Sequence, residues 1–305
     1  MSEHEGYSAA AEVGAVRVRR SRLERAWIEL KKAPFTAWLG LVVIGIYIFV
    51  ALFAPWLAPY GEADSSFAAY APWSAEHVFG TDQIGRDILS RLIYGARNTI
   101  GIALATTLLA FLIGGGLGLA AAISRGWVDQ VLSRAVDVVI SIPSLIFALM
   151  LLSIYGSTTL SLIVIIAVLD STRVFRLTRA VSMNVVVMEY VEAARLRGEG
   201  LGWIMRREIL PNIMPPLVAE FGLRFCFVFL TIAALSFLGV GIQPPTADWG
   251  SMVRENASLI QFAQFDIKAG ITPLLPAAAI AILTIAVNFV VDWFLMKTSG
   301  LRDET

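Results

Sequence analysis

An all-α membrane protein with six transmembrane helices is what this sequence predicts, on three observations. The mean hydropathy is +0.72, with 57% hydrophobic and 16% charged residues, which lies outside the range of soluble globular chains. Stretches 33–61, 98–124, 138–169, 225–247 and 269–291 contain no Asp, Glu, Lys or Arg, and about 20 apolar residues suffice for one bilayer crossing. The basic residues are also unevenly shared between alternate connecting segments, as the positive-inside rule requires of a multi-pass chain.

Taken in order, a polar and basic segment, 1–35, precedes the first span at 36–57. That segment is too polar, and the span too long, for a cleaved secretory leader. Residues 58–97 form an excursion outside the membrane. Gly80-Thr81-Asp82 reads as a turn with a helix cap. A stretch with Ile84, Ile88, Leu92 and Ile93 on one face and Asp87, Arg91 and Arg97 opposite follows it. The second span, 98–123, carries Gly114, Gly115, Gly116 and Gly118, small enough for close helix packing. The run 138–169 is too long for one crossing. Gly156 divides it into a third span, 132–154, kinked at Pro143, and a fourth, 158–182. A polar loop, 183–212, leads to the fifth span, 213–238. The sixth, 272–294, is followed by a tail, 295–305, and a helical core covers 98–294.

Six crossings place both termini on one side. Eighteen of the 24 Lys and Arg residues fall on that side, against five on the other, with Arg224 inside a span. The termini and the 183–212 loop are therefore expected in the cytoplasm. Net charge is zero, which favours orientation rather than nucleic-acid binding as the meaning of the basic residues.

Ionisable residues within spans are costly and point to function by default. Glu220 and Arg224, four apart in the fifth span, read either as a structural pair or as a polar patch on a translocation path. Asp170 with Arg173, and Arg134 with Asp137, read as structural pairs within their own helices near the interface. No catalytic or metal-binding constellation emerges. His4 and His77 are far apart, Cys226 is the lone cysteine, and the chain lacks the G-x-x-x-x-G-K-[ST] phosphate-cradling loop. The expectation is a membrane component with no enzymatic chemistry and no cofactor of its own.

The polar stretch 190–212, YVEAARLRGEGLGWIMRREILPN, is the exception to this apolar chain. It reads as a short helix, a glycine-rich turn at Gly198, Gly200 and Gly202, and a second helix stopped at Leu210-Pro211. Such a loop adds nothing to insertion, so it is expected to be held in water for a partner.

Glu192-Ala193-Ala194, three residues, Gly198, nine residues, then Glu208-Ile209-Leu210-Pro211 resembles the E-A-A-x-x-x-G-x9-I-x-L-P signature of bacterial ABC importer permeases. Glu208 stands where the family has Ile or His. Three further stretches resemble the C-type permease of dipeptide and oligopeptide importers: ALFAPWLAPY at 51–60, GTDQIGRDILSRLIYGAR at 80–97 and SFLGVGIQPPTADWG at 236–250. The resemblance covers about residues 25–294. It implies a type I importer permease fold in the bacterial inner membrane and a homologous second permease completing a pore. It also implies two ATPase subunits, which bind the ATP and Mg, and an extracytoplasmic substrate-binding protein. Glu192, Ala193, Ala194, Gly198, Glu208, Leu210 and Pro211 would couple to the ATPases, with the small alanines letting the first helix seat closely. Asp82, Arg86, Asp87, Arg91 and Trp249 would lie on the lid and binding-protein side. Relatives of this architecture also move nickel, opines and glycosides. A stand-alone secondary transporter or channel is the alternative of another class, and few intramembrane carboxylates and no evident inverted repeat weigh against it.

Overall fold

The computed structural model describes Lys31, residues 33–124 and residues 126–298. The expected N-terminal segment and tail lie largely outside the described residues. From Phe35 onward the chain is one compact unit, and its described residues contain helices and no strand.

The first helix, α1 (Phe35–Leu57), matches the first expected span. Gly40 lets it lie against α11 (Leu274–Thr298), because a Cβ there would sit 2.5 Å from the carbonyl oxygen of Ala286. Next, α2 runs unbroken over Ile88–Ser124. At 1.5 Å per residue its 37 residues extend about 55 Å, beyond the bilayer's apolar thickness of about 30 Å. The stretch expected as a separate amphipathic segment before residue 98 is thus the outer end of the second spanning helix.

Against α2 lies α5 (Thr159–Val186), backbone on backbone. A Cβ on Gly114 would sit 2.2 Å from the carbonyl oxygen of Ser171, and one on Gly118 would sit 2.7 Å from that of Phe175. Gly115 and Gly116 face open space. Of the four glycines read as packing residues, the two spaced four apart do the packing.

The expected third span, 132–154, is two helices. These are α3 (Gly126–Ile140) and α4 (Ser144–Tyr155), whose axes bend by 88°. Pro143 produces a break rather than a kink. It has no N–H to donate, it disfavours helix at Ile142, and it stands with ψ 120° as the residue before α4. The division at Gly156 is as expected. With φ 86° it ends α4, its N–H reaching the carbonyl of Leu152 at 2.9 Å, and Thr158 caps α5 by accepting from the Ser161 amide.

Beyond α5 come α6 (Glu189–Leu196) and α7 (Leu201–Ile204), then one turn of π-helix (Met205–Ile209) leading into α8 (Leu210–Phe237). A loop then reaches α9 (Trp249–Asn256), a 3-10 segment (Ala257–Phe262), α10 (Ile267–Ile271) and α11. Among the described residues, four stretches are long and apolar enough to cross a membrane: Phe35–Leu57, Ile88–Ser124, Leu201–Phe237 and Ile267–Lys297. The bent pair α3–α4 makes a fifth if counted as one span. The helix α5 is long enough but carries Asp170, Arg173, Arg176 and Arg179.

Two apolar cores occupy opposite ends of α2. One packs Ile88 with Leu152, Ile166, Phe229, Leu235 and Trp249. The other packs Leu119 with Val186, Val191, Ala194, Ile204 and Ile213. Gly114→Leu should force α2 off α5 and lower stability by about 1–3 kcal/mol, read as a fall in the thermal midpoint of the detergent-purified protein. Gly115→Leu, one residue away and facing open space, should leave that midpoint unchanged.

Candidate functional site

The 189–209 loop is rigidly built. Its first helix closes in a Schellman arrangement, in which Gly198 N–H donates to the carbonyl of Arg195 at 2.9 Å and Glu199 N–H to that of Ala194 at 3.2 Å. Gly198 takes φ 78°, as its place after the helix requires. The sequence expected both alanines to face a partner, and the structure separates them. Ala194 is 0% exposed, turned with Val191 onto the chain's own second core, while Ala193 and Glu192 are exposed. Residues 191 and 194 are three apart and share the inner face of one helical turn, which puts Ala193 outside.

Leu210-Pro211 does not end the second helix. The chain stays helical from Leu201 to Phe237, with the π turn just before Pro211. There the Leu210 N–H reaches the carbonyl of Met205, five residues back. This wider turn eases the proline ring past the preceding carbonyls, which an α-turn would not. Asn212 Nδ2 donates to the Glu208 carbonyl at 2.6 Å, supplying the helix bond displaced by the change of register. The Glu208 side chain is half-buried, and nothing in its surroundings explains its standing where the family has Ile or His. Outward from this base the loop presents Tyr190, Leu196, Leu201 and Trp203, of which Leu196 is 84% exposed. Glu192, Arg195, Arg197, Arg206 and Arg207 are exposed around them. An apolar patch rimmed by charge on so firm a base suits a protein partner.

Inside the bundle, Glu220 and Arg224 do pair, with Arg224 Nε 2.7 Å from Glu220 Oε1. Arg224 is only 8% exposed, also lies 3.5 Å from Asp170 Oδ1 on α5, and stands over the Phe227 ring. Asp170 thus pairs across helices with Arg224 rather than with Arg173. Likewise Asp137 on α3 bonds Arg176 on α5 at 2.7 Å instead of Arg134, and Asp129 on α3 grips Arg179 on α5. Spacing within one helix suggested local pairs. Packing α3 and α8 onto α5 offers closer partners.

At the other end of α2, the residues assigned to a lid form a buried network. Asp82 does not cap a helix. Its Oδ1 accepts from the amides of Ile84 and Arg86, folding a tight turn, while Asp87 caps α2 by accepting from the Ser90 amide at 2.8 Å. Arg86 bonds Asp82 at 2.6 Å and Glu255 on α9 at 2.7 Å, and Arg91 reaches Glu255 at 3.2 Å. His77 Nδ1 lies 2.9 Å from Asp87 Oδ1. Asp87 and Arg91 therefore point inward and Ile84 outward, against the amphipathic reading, because ions that satisfy one another can be buried, while Ile88 is buried and Arg97 exposed as that reading has them. Trp249 is 2% exposed, not a surface residue, and its indole N–H donates to the Leu92 carbonyl at 2.9 Å above Gly95. Beside it, Asp248 caps α9 through the Ser251 amide and accepts from the Thr99 hydroxyl. Burial pushes its carboxyl above the usual carboxylate range, against the lowering by these bonds.

Sequence reading missed Glu255 and Glu62. Glu62 Oε2 accepts from Asn98 Nδ2 at 2.8 Å and from the Ala247 amide at 2.9 Å. A hint was available, since Arg86 and Arg91 both sit near span depth and need carboxylates. Glu255→Gln removes the charge shared by two buried arginines, so the thermal midpoint should fall with a loss of about 3 kcal/mol.

This is an all-helical permease fold, and comparison with known proteins bears that out. Residues 114–296 match the family described as Binding-protein-dependent transport system inner membrane component, and residues 21–77 match the N-terminal TM domain of oligopeptide transport permease C. The Dipeptide transport system permease protein DppC of Escherichia coli (strain K12) is 37% identical over 288 residues, covering 92% of this chain and 91% of that protein. The Di/tripeptide transport system permease protein DppC of Pseudomonas aeruginosa (strain UCBPP-PA14) is 36% identical over 271 residues, covering 87% and 85%. A chain of the inward-facing MetNI methionine ABC transporter superposes with TM-score 0.51 at 18% identity, over 68% of this chain and 97% of that one, a likeness of fold. The chain belongs to the family of binding-protein-dependent transport system inner membrane components.

Proposed function

We propose that this chain is a permease subunit of an ATP-driven importer of di- and oligopeptides. The observation that carries the proposal is the 189–209 loop, with its apolar, charge-rimmed outer face and its inner face locked onto the bundle. The DppC relatives supply the substrate class. In this reading α5 and the bent pair α3–α4 complete six crossings. The excess of basic residues on one side places both termini and the loop in the cytoplasm of a cell whose inner membrane holds the protein. A homologous second permease forms the other half of the path. Two ATPase subunits bind ATP and Mg, and an extracytoplasmic binding protein delivers the peptide. This chain hydrolyses nothing itself.

The coupling step is mechanical. A push on Trp203 travels along one uninterrupted helical run, Leu201–Phe237, to the Arg224–Asp170 contact with α5. The seated loop also moves Leu119 on α2 and Val186 on α5, because they share its core. Glu192, Ala193 and the patch from Tyr190 to Trp203 make the ATPase contact. Ala194 and Gly198 hold the loop's shape. We assign Glu220 and Arg224 to joining the helices that line the path. The buried Asp82, Arg86, Asp87, Arg91 and Trp249 hold the outer platform from within.

Two measurements test this reading. Gly198→Val places a β-branched residue at positive φ, and Glu192→Arg reverses an exposed charge. Both variants should insert and pair with the second permease, yet retain the ATPases weakly or hydrolyse ATP without uptake. Normal ATPase retention and normal transport in both would sink the mechanism. For topology, cysteines replacing Ser66 and Phe265, both exposed, should react with an impermeant thiol reagent in intact cells once Cys226 is replaced. One replacing Leu196, expressed without the ATPases, should react only after permeabilisation, and its labelling in intact cells would invert the orientation.

A further inference from the structure

One face of the bundle meets the membrane region in a way that lipid does not tolerate. Between α3 and α4 the chain leaves helical geometry at Ser141–Pro143, and these residues are exposed. Irregular backbone at membrane depth persists only where protein or a water-filled cavity receives it. Beside the break stands Arg173, about 21 Å along α5 from Thr159 at 1.5 Å per residue, within the roughly 30 Å apolar layer. Arg173 is exposed, and among the described residues it has no ion-pair partner. Exposed unpaired charge at that depth marks a solute pathway rather than a lipid face.

Arg173 lines two small adjoining clefts, the first at the break between α3, α4 and α5 and the second between α4, α5 and α8. One, of about 100 Å³, is lined by Pro143, Ser144, Thr172 and Arg173. The other, of about 30 Å³, is lined by Ser144, Asp170, Arg173 and Thr231. Asp170 gives its Oδ1 to Arg224, while its buried Oδ2 has no hydrogen-bond partner. An unpaired cation and a carboxylate with one unpartnered oxygen therefore line these clefts, with Ser144, Thr172 and Thr231 set among apolar residues such as Ile142, Ile166 and Leu169.

We propose that Arg173 and Asp170 form a transient subsite for the charged termini of a peptide in passage. Arg173 takes the carboxylate, and Asp170 takes the ammonium group once the parting helices uncover its Oδ2. Such a subsite replaces the hydration of both termini within the membrane while leaving the side chains unread, as suits a carrier of varied peptides. Arg224 acts as the positioning residue, holding Asp170 by its other oxygen. The inference rests on the peptide-importer reading above and adds to it the place where the substrate's charges are met.

The test uses the whole transporter, with both permeases and both ATPases in proteoliposomes, peptide-loaded binding protein and a radiolabelled dipeptide. Arg173→Gln should lower the peptide carried per ATP hydrolysed about tenfold, the effect expected for losing one charged hydrogen bond. Arg173→Lys should retain most transport. Stimulation of ATP hydrolysis by the loaded binding protein should stay within about twofold of the parent in both, since the 189–209 loop is untouched. If Arg173→Gln fails to assemble, Arg173→Cys in a Cys226→Ala background replaces it. Modification there with a cationic aminoethyl thiosulfonate should restore transport, and a neutral methyl reagent should not. Parental peptide-to-ATP ratios in Arg173→Gln, or equal rescue by both reagents, overturn the subsite. So does unchanged transport with loss of co-purifying anionic lipid, which would give Arg173 to the bilayer. Failure of the unmodified transporter to carry the dipeptide would instead overturn the importer reading.

Discussion

The contact on which the remainder depends is the approach of α2 to α5 at Gly114 and Gly118. With no Cβ between them, the two backbones touch, and α2 is then the shared wall of both apolar cores. Without a hydrophobic driving force between helices in lipid, close van der Waals packing of this kind must supply the association. It also fixes where the charges on α5 fall. Asp129 and Asp137 on α3 meet Arg179 and Arg176, and Asp170 meets Arg224 on α8. Each pair bridges two helices, so the packing and the electrostatics hold one another in place.

Charge is handled differently at the three levels of the molecule. Around Glu255 the ions are buried and mutually satisfied, binding the 58–87 segment to α2 and α9. In the bundle they are partly satisfied, with orphaned atoms on Asp170 and Arg224. On the 189–209 loop they are solvated around an apolar patch. The resemblance sets the first group on the lid and binding-protein side; the structure buries its side chains, whereas those of the loop stay outside.

Hydropathy made the apolar helices legible, and Gly156 and Gly198 were readable because a positive φ leaves a local signature. The spacing of Glu192-Ala193-Ala194, Gly198 and Leu210-Pro211 located the loop. It did not reveal that Ala194 turns inward or that Pro211 is carried through in helix, because both depend on packing against Leu119 and Ile213 and on a local change of helical register. Pairing was the least legible property. Asp170 lies three residues from Arg173 yet bonds a residue more than fifty positions away, and Glu62 and Glu255 acquire their partners only through tertiary contact. The break at Pro143 was visible as a proline, but its 88° angle was not.

The π turn ahead of Pro211 has a consequence for how the two ends of α8 are indexed. The wider turn takes up one residue more than a regular α turn, so the helix beyond it keeps its azimuth while its numbering runs one residue ahead. Glu220 and Arg224 hold their bearing relative to Trp203 because that single residue of excess is absorbed there. Deleting one residue within 205–209 would let the turn relax to ordinary helix and leave Arg224 facing Asp170. A deletion at 217–219 that left the π turn intact would instead swing Arg224 by about 100°, away from Asp170. Phase, more than length or composition, is what ties the water-exposed hairpin to the charges in the bundle.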